Sequence, residues 1–340
     1  MWIFPFSPGT RGLGAMTAAI DNPRPAAPSA GMKHWLGTWT AATLAQLQPS
    51  LLRNELGILM YHRVVNKVPG QPFPTWNVTP NRFRRQLTGL LRNGFRAWPL
   101  RKVLDHRANQ REIPRNVFVV TFDDAYECVF TRALPVLEEL RIPATVFLST
   151  AYIDSPEPFP FDDWPAKGKA GVPTESWRPL SQQQCLALQA SGLIELGAHT
   201  HTHDDFRGRP QDLQADLQHN LACLQARFGL HNATFAFPFG TKSLGYSGSL
   251  LAVAARETGV LCALTTESEI ARLTGDVYDW GRFNVEAADT AATLAGKLTG
   301  WFNYVRGSIR QLESSVWNWP AFVAANVKRT AQFCVPIRSA

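Results

Sequence analysis

The stretch Val119–Asp124 (VVTFDD) places two carboxylates directly after an apolar run. Short apolar runs with β-branched residues are typical of buried strands, so Asp123 and Asp124 should lie at the rim of a sheet or barrel. Parallel α/β folds build their active sites at that rim. The stretch therefore predicts an α/β fold with a polar site at the end of this strand.

The two aspartates are adjacent, and neighbouring side chains of an extended strand point to opposite faces. Because the backbone turns where a strand ends, both carboxylates can reach one pocket in different roles. One would bind a cation, and the charge of that cation would keep the other ionised as a general base. The alternative is a structural role, since aspartate is also favoured as a helix cap after a strand.

A second stretch, Glu195–His203 (ELGAHTHTH), carries three histidines at alternate positions after an apolar run. On a straight strand the outer two would lie about 13 Å apart, too far for one ion. If the chain curls after Ala198, His199 and His203 converge as on a helical turn, and His201 becomes the substitute ligand. One aspartate with two histidines is a sufficient ligand set for a catalytic divalent metal.

The order of predicted elements agrees with this site. Strands alternate with helices from Gly57–His62 onward, which predicts parallel pairing with right-handed crossovers. Thr234–Gly240 is predicted as a later strand that ends in a Pro-aromatic-Gly turn, and residues 210–228 are predicted as a long amphipathic helix. Residues 152–180 are a long polar and aromatic insertion, interpreted either as a lid or substrate wall or as a surface excursion.

Composition limits the function classes. The chain has 340 residues and 45% hydrophobic side chains, enough for one barrel-sized domain or two smaller ones. The net charge is +7, but no run of five Lys or Arg indicates a nucleic-acid site. The five cysteines are odd in number and contain no C-x-x-C pair, so neither a disulfide framework nor a thiolate metal site is expected.

The chain ends are predicted to be peripheral. Residues 1–31 read as a flexible leader, 32–56 as an N-terminal helical segment, 57–300 as the barrel and 301–340 as a helical tail. No clear secretory signal or membrane-spanning run is present, which favours a cytoplasmic location. Contact of the leader or of the aromatic tail with a membrane surface stays open, as does the oligomeric state.

The residues Thr121–Asp124 (TFDD) and His199–His203 (HTHTH) resemble, in order and separation, the first two motifs of the polysaccharide deacetylase family, carbohydrate esterase family 4. The resemblance covers roughly residues 57–300. It implies a distorted (β/α) barrel of about seven strands with a long loop insertion. It also implies that Asp123 is the general base and that Asp124, with His199 and His203, binds a divalent metal, usually Zn²⁺.

The sequence departs from this family in two places. Ala125 replaces the glycine that usually follows the aspartate pair. The third motif reads Ala236–Phe239 (AFPF), so the arginine that orients the base in the family is missing from its usual position. Arg282 is the candidate to replace it.

The catalytic acid of the family is a late histidine, but no histidine follows His231 in this chain. One branch of the family carries that histidine on its first strand, and Leu59–Val64 (LMYHRV) resembles that arrangement. Without the resemblance, His62 reads as a strand-end residue satisfied by the backbone. The resemblance implies that His62 is the acid.

The predicted function is therefore a metal-dependent hydrolase that removes N-acetyl groups from an amino-sugar polysaccharide, oligosaccharide or glycolipid precursor. An O-acetyl esterase or an amide hydrolase acting on a non-sugar is an alternative on the same site. A non-catalytic carbohydrate-binding protein is a third possibility, because Ala125 and Ala236 depart from the family pattern. The expected partner is an N-acetylated carbohydrate, and aromatic loops at 69–80 and 156–179 could stack on sugar rings.

Overall fold

The computed structural model describes residues 40–45, 54–71, 74, 76–162 and 171–305. The predicted leader 1–31 and the tail beyond residue 305 lie outside these ranges. Of the predicted N-terminal helical segment 32–56, residues 40–45 and 54–56 are described. Residues 40–45 are helical, whereas Glu55 and Leu56 already belong to the first strand, so the predicted segment extended too far. None of the helices within the described ranges has the length and apolar character that crossing a bilayer requires.

The strands run from the N-terminal part of the described chain to residue 284. In chain order they are β1 (Glu55–Tyr61), β2 (Arg63–Val64), β3 (Asn77–Val78), β4 (Arg96–Ala97), β5 (Val117–Phe122), β6 (Ala144–Leu148), β7 (Ile194–Ala198), β8 (Phe235–Ala236), β9 (Ala263–Leu264), β10 (Ala271–Arg272) and β11 (Phe283–Asn284).

Six strands form a parallel path in the order β1, β5, β6, β7, β8, β9. Strands β4 and β11 add in parallel to β5 and β1, and β10 pairs antiparallel with β1. A single isolated bridge, Leu264 to Trp280, links the β9 end of the path to the segment before β11. The predicted distorted (β/α) architecture is confirmed, but no regular ladder closes the barrel within the described ranges.

Helices alternate with these strands, as predicted. We label them α1 (Pro80–Arg92), α2 (Leu100–Ala108), α3 (Leu134–Leu140), α4 (Gln182–Ala190), α5 (Pro210–Phe228), α6 (Ser249–Glu257) and α7 (Ala291–Leu298). The starts of three of them follow from capping chemistry: Thr79 caps α1, and capping boxes open α4 and α7 at Ser181 and Thr290. The predicted helix 210–228 is confirmed as α5.

The central strands are buried on both faces, which explains their nearly continuous apolar sequences. Alternate residues contribute to two separate cores: Leu59 and Tyr61 of β1 join the first, and Leu56 and Ile58 join the second. The same alternation in β5 puts Val119 in the second core. Side chains at positions 121 and 123 continue on that face.

The strand predicted within Thr234–Gly240, ending in a Pro-aromatic-Gly turn, is present as the short β8. Only Phe235 and Ala236 of β8 pair with neighbours. The chain then turns, and Phe239 adopts a positive φ of 60°. This turn ends strand pairing and places the Phe239 ring at the rim of the sheet.

Candidate active site

The strands β1 and β5 place His62 and Asp123 side by side at one rim. Tyr61 and Phe122 are paired in the parallel register, so the next residue of each strand emerges at the same edge. The backbone N–H of Asp123 donates to the Tyr61 carbonyl at 3.0 Å. The sequence prediction that the polar groups after these strands share a pocket agrees with this geometry.

Asp124 lies between two histidines of the second motif. Its Oδ1 atom is 3.4 Å from His199 Nε2 and 3.3 Å from His203 Nε2, and all three side chains are buried. Two ligands bound at about 2.1 Å in tetrahedral geometry lie about 3.4 Å apart. Asp124 Oδ1 therefore has the spacing of a second ligand from each imidazole nitrogen, and the three ligand atoms lie within 4.8 Å of one another.

Unusual backbone geometry produces this convergence. Asp124 adopts a φ of 69°, Thr200 of 63° and His203 of 54°, all in the left-handed region. The turn is held by the His203 N–H, which donates to Thr200 Oγ1 at 3.0 Å, and by Asn220 Nδ2, which donates to the Thr200 carbonyl at 2.6 Å. Non-glycine residues in this region cost stability, so such backbone persists only where the surrounding structure fixes it. These positions cluster at functional sites.

The donor set fits a divalent cation. His199 Nδ1 lies 2.8 Å from the Ala236 carbonyl, while its Nε2 faces Asp124. A neutral imidazole has one N–H, so it cannot donate to both acceptors. With the Nδ1 proton donated to the carbonyl, Nε2 presents a lone pair toward the carboxylate, and a cation between them satisfies both groups.

The two neighbouring imidazoles favour the ionised form of the Asp124 carboxylate. Burial raises the pKa of Asp124, but the neighbouring His199 and His203 imidazoles outweigh burial and hold the pKa well below its usual range. Asp124 is therefore a carboxylate at neutral pH, the form that binds a metal.

Arg282 forms a buried, bidentate ion pair with Asp123. The guanidinium nitrogens lie 2.6 Å and 2.7 Å from the two carboxylate oxygens, and Arg282 is 0% exposed. Its Nε donates to the Thr265 carbonyl at 3.0 Å, which fixes the plane of the guanidinium. Burial raises the pKa of Asp123, but the charge of Arg282 outweighs it, so the pKa is lowered.

Gly281 lets the backbone before Arg282 pack closely against residues 267–269. A Cβ atom at residue 281 would lie 2.5 Å from the Glu267 carbonyl oxygen and 2.3 Å from Glu269 Cγ. The same close approach lets the Arg282 N–H donate to the Glu267 carbonyl at 2.9 Å. Arg282 thus occupies the position beside Asp123 that the sequence suggested, whereas Ala236 contributes only its backbone carbonyl.

His62 lies beside the carboxylates and under an aromatic ring. Burial lowers the pKa of His62, opposed by the charges of Asp124 and Asp123, which shows that all three groups share one electrostatic environment. Trp76 stacks on the imidazole with ring centroids 5.9 Å apart. Within the described residues, the buried Nδ1 atom of His62 has no hydrogen-bond partner.

Aromatic side chains form the wall of the site. Phe161, from the long insertion, stacks on His203 with ring centroids 3.7 Å apart, and Phe239 packs edge-on against the same ring at 4.8 Å. Trp76 and Phe239 are 44% and 42% exposed. The insertion therefore contributes to the site, as the lid or wall interpretation of residues 152–180 anticipated, although residues 163–170 lie outside the described ranges.

His201, the substitute ligand in the sequence prediction, points to different neighbours. Its Nδ1 atom lies 2.9 Å from Thr150 Oγ1, and its ring stacks on His219 with centroids 3.9 Å apart. The structure thus groups His199 and His203, but not His201, with Asp124.

Comparison with known proteins points to one family. A family model described as polysaccharide deacetylase matches residues 110–260, which include the aspartate pair and the three histidines. This part of the chain is therefore similar to the polysaccharide deacetylase family. The solved structure of IcaB from Ammonifex degensii is similar to this chain, with a TM-score of 0.57 and 26% identity over 72% of this chain and 97% of that one.

Two curated relatives are poly-β-1,6-N-acetyl-D-glucosamine N-deacetylases. The Staphylococcus epidermidis protein is 22% identical over 263 residues, covering 73% of this chain and 85% of its own length. The Escherichia coli K12 protein is 26% identical over 142 residues, covering 42% of this chain but 20% of its own length. The chain thus spans about a fifth of the length of the Escherichia coli relative.

Proposed function

We propose that this chain is a metal-dependent N-deacetylase of an N-acetylated amino-sugar polysaccharide. The observation that carries the proposal is that two adjacent carboxylates have different partners. Asp123 forms an ion pair with Arg282, whereas Asp124 lies between the imidazoles of His199 and His203. Similarity to the family and the names of the relatives support the reaction and point to β-1,6-linked N-acetylglucosamine as the first substrate to test.

The metal would be held by Asp124, His199 and His203. Two imidazoles and one carboxylate are a common ligand set of catalytic Zn²⁺, which makes Zn²⁺ the first candidate. When bound, the cation supplies a Lewis acid that polarises the acetamide carbonyl and lowers the pKa of a bound water. The Ala236 carbonyl orients His199 by accepting its Nδ1 proton.

Asp123 would be the general base. Arg282 keeps this carboxylate ionised and fixes its plane, so one of its oxygens can take a proton from the attacking water. The ion pair is buried, which keeps competing water from screening it.

His62 would give a proton to the nitrogen of the leaving amine. It lies on the neighbouring strand end, shares the electrostatic environment of both aspartates, and packs against Trp76. The exposed faces of Trp76 and Phe239 would stack on sugar rings at the rim.

The test is acetate release from purified protein incubated with β-1,6-linked N-acetylglucosamine oligomers. Parallel reactions contain β-1,4-linked oligomers and an O-acetylated sugar, each with metal-stripped and Zn²⁺-reloaded protein. We expect release from the β-1,6-linked amide substrate, dependent on the reloaded metal. Release only from the O-acetylated sugar would replace the proposal with an esterase, and no release from any substrate by metal-loaded protein would overturn it.

A further inference from the structure

A second cluster of metal-binding side chains includes His201, the middle histidine of the turn from His199 to His203. His201, His219 and Cys223 each present a ligand atom, and these three atoms lie within 4.8 Å of one another. The cluster shares no residue with the Asp124 site. His201 and Cys223 are half-buried and His219 is exposed, so an ion can reach the cluster from solvent.

The helix α5 presents two of the ligands. His219 and Cys223 are four residues apart within α5, so they occupy one face on consecutive turns. A pair at this spacing chelates one ion from a rigid support, and a third ligand from another element completes a site. His201 supplies the third ligand atom, which lies within 4.8 Å of those of His219 and Cys223. Its ring stacks on that of His219 with centroids 3.9 Å apart and an interplanar angle of 14°, so the two imidazoles tilt from this parallel arrangement when they bind one ion.

The surroundings of His201 resemble those of a metal-bound imidazole. Its Nδ1 atom is hydrogen-bonded to Thr150 Oγ1, so the other ring nitrogen is the one that an ion can take. Thr150 is held in turn by Asn220 Nδ2, which donates to its hydroxyl at 3.0 Å. Asp216 fixes the backbone by accepting the His201 N–H at 2.5 Å.

The donor set indicates the class of ion. Bond lengths of about 2.1 Å to nitrogen and 2.3 Å to sulfur put tetrahedral ligands about 3.4 to 3.6 Å apart, so rotation of the surface side chains His219 and Cys223 brings the atoms into range. One thiolate with two imidazoles suits Zn²⁺ and Co²⁺ and disfavours Mg²⁺ and Ca²⁺, which prefer oxygen ligands. The exposed side of the cluster leaves a fourth position for water.

We propose that His201, His219 and Cys223 form a second cation site for a borderline-soft divalent metal such as Zn²⁺. This site does not depend on the proposed deacetylase reaction. A bound ion would hold the turn between His199 and His203 through His201. Spacing alone did not suggest it, because Cys223 is far from any other cysteine in the sequence.

Cobalt distinguishes the two sites, because only a thiolate ligand gives the sulfur-to-cobalt charge-transfer band. The Asp124 site contains no sulfur. Metal-stripped full-length protein is titrated with Co²⁺ under reducing conditions and followed by absorption spectroscopy, and bound zinc is counted after reloading. We expect the charge-transfer band in the wild-type protein, and its loss together with one equivalent of zinc in Cys223→Ser.

Matched variants complete the test. Cys334→Ser should keep the band, and Asp124→Asn should keep it while losing the other metal equivalent. His219→Ala should weaken cobalt binding by at least about tenfold, as loss of a supporting metal contact does. Circular dichroism checks that each variant is folded. Absence of the band from the wild-type protein, or its persistence in folded Cys223→Ser, overturns the proposal, and neither result bears on acetate release.

Discussion

At the scale of single residues, the ion pair between Asp123 and Arg282 decides how the site can work. A carboxylate this deeply buried is costly unless it is paired, and the guanidinium meets both of its oxygens. The lysine ammonium is a point charge without this planar fork. Arg282 is therefore a positioning residue whose charge and shape both matter.

Replacing Arg282 by Lys should separate these two contributions. We expect metal content to be unchanged, but acetate release to fall by about tenfold or more, because one oxygen of Asp123 loses its fixed donor. Asp123→Asn is the matched variant and should lose at least about a hundredfold, since the base itself is gone. Zinc analysis and rates of acetate release measure both effects, and wild-type rates in Asp123→Asn would remove Asp123 as the base.

A second residue-scale prediction concerns Ala125, whose φ of 65° lies in the left-handed region. A non-glycine residue there costs about 1 to 2 kcal/mol, partly offset because glycine loses more entropy on folding. Ala125→Gly should therefore raise the free energy of unfolding by about 0.5 to 1 kcal/mol in urea titrations. Ala133→Gly, at a helical φ of −80°, is the control and should lower it. Destabilisation by Ala125→Gly would contradict this account.

At the scale of elements, ion pairs hold both described parts of the insertion 152–180 against the rest of the fold. Arg63, which follows His62, forms a buried ion pair with Asp162, next to the Phe161 ring that covers His203. At the other end Arg178 binds Glu127 through two hydrogen bonds of 2.8 Å and 2.6 Å. The wall of the site is thus held by charged groups that follow β1 and β5.

The Glu127 contact predicts a pH dependence. Burial raises the pKa of Glu127, but the hydrogen bonds from Arg178 and Gln184 outweigh it, so the folded pKa lies below the ordinary value. The stabilisation is complete above the unfolded pKa and is lost as the pH falls through the folded pKa. Because Arg178 is partly exposed, we expect Glu127→Gln to lose about 1 kcal/mol or less at neutral pH.

Urea unfolding of wild-type protein and Glu127→Gln across the acid range measures this effect. The difference in unfolding free energy between the two proteins should shrink as the pH falls below about 4.5, the ordinary glutamate value. Glu138→Gln, on the exposed face of α3, is the control and should show no such difference. A constant difference between wild type and Glu127→Gln at all pH values would contradict the assignment.

At the scale of the whole molecule, the proposed catalytic ligands come from the ends of different strands. Asp124 follows β5, while His199 and His203 follow β7, with β6 between them. A cation bound at this position therefore stabilises the folded state of the sheet as a unit. The effect is about 4 kcal/mol when the free cation is at about a thousand times its Kd.

Chelation should accordingly lower the thermal unfolding temperature, and Zn²⁺ should restore it. The measurement is best made in Cys223→Ser, which leaves only the Asp124 site to respond. Asp124→Asn added to this background should abolish the response to Zn²⁺. An equal shift in the doubly substituted protein would show that the stabilising ion binds elsewhere.

Much of this arrangement was predictable from sequence, because it rests on local patterns. The apolar run before Asp123 gives the strand, and the separation of His199 and His203 selects the convergent pair. Contacts between distant residues were not predictable in the same way. Arg282 reaches Asp123 across 159 positions, and no local pattern could show that it does. Likewise, Cys223 lies near His201 only because α5 packs against the turn from His199 to His203.

The single bridge between Leu264 and Trp280 gives Arg282 a further role. Its side chain binds the Thr265 carbonyl just after β9 and both Thr121 Oγ1 and Asp123 at the end of β5. Arg282 therefore links the end of β5 to the residue after β9, where backbone pairing is sparse. The same guanidinium thus joins two strand ends and binds the proposed base. Selection for folding stability and selection for turnover therefore act on one side chain.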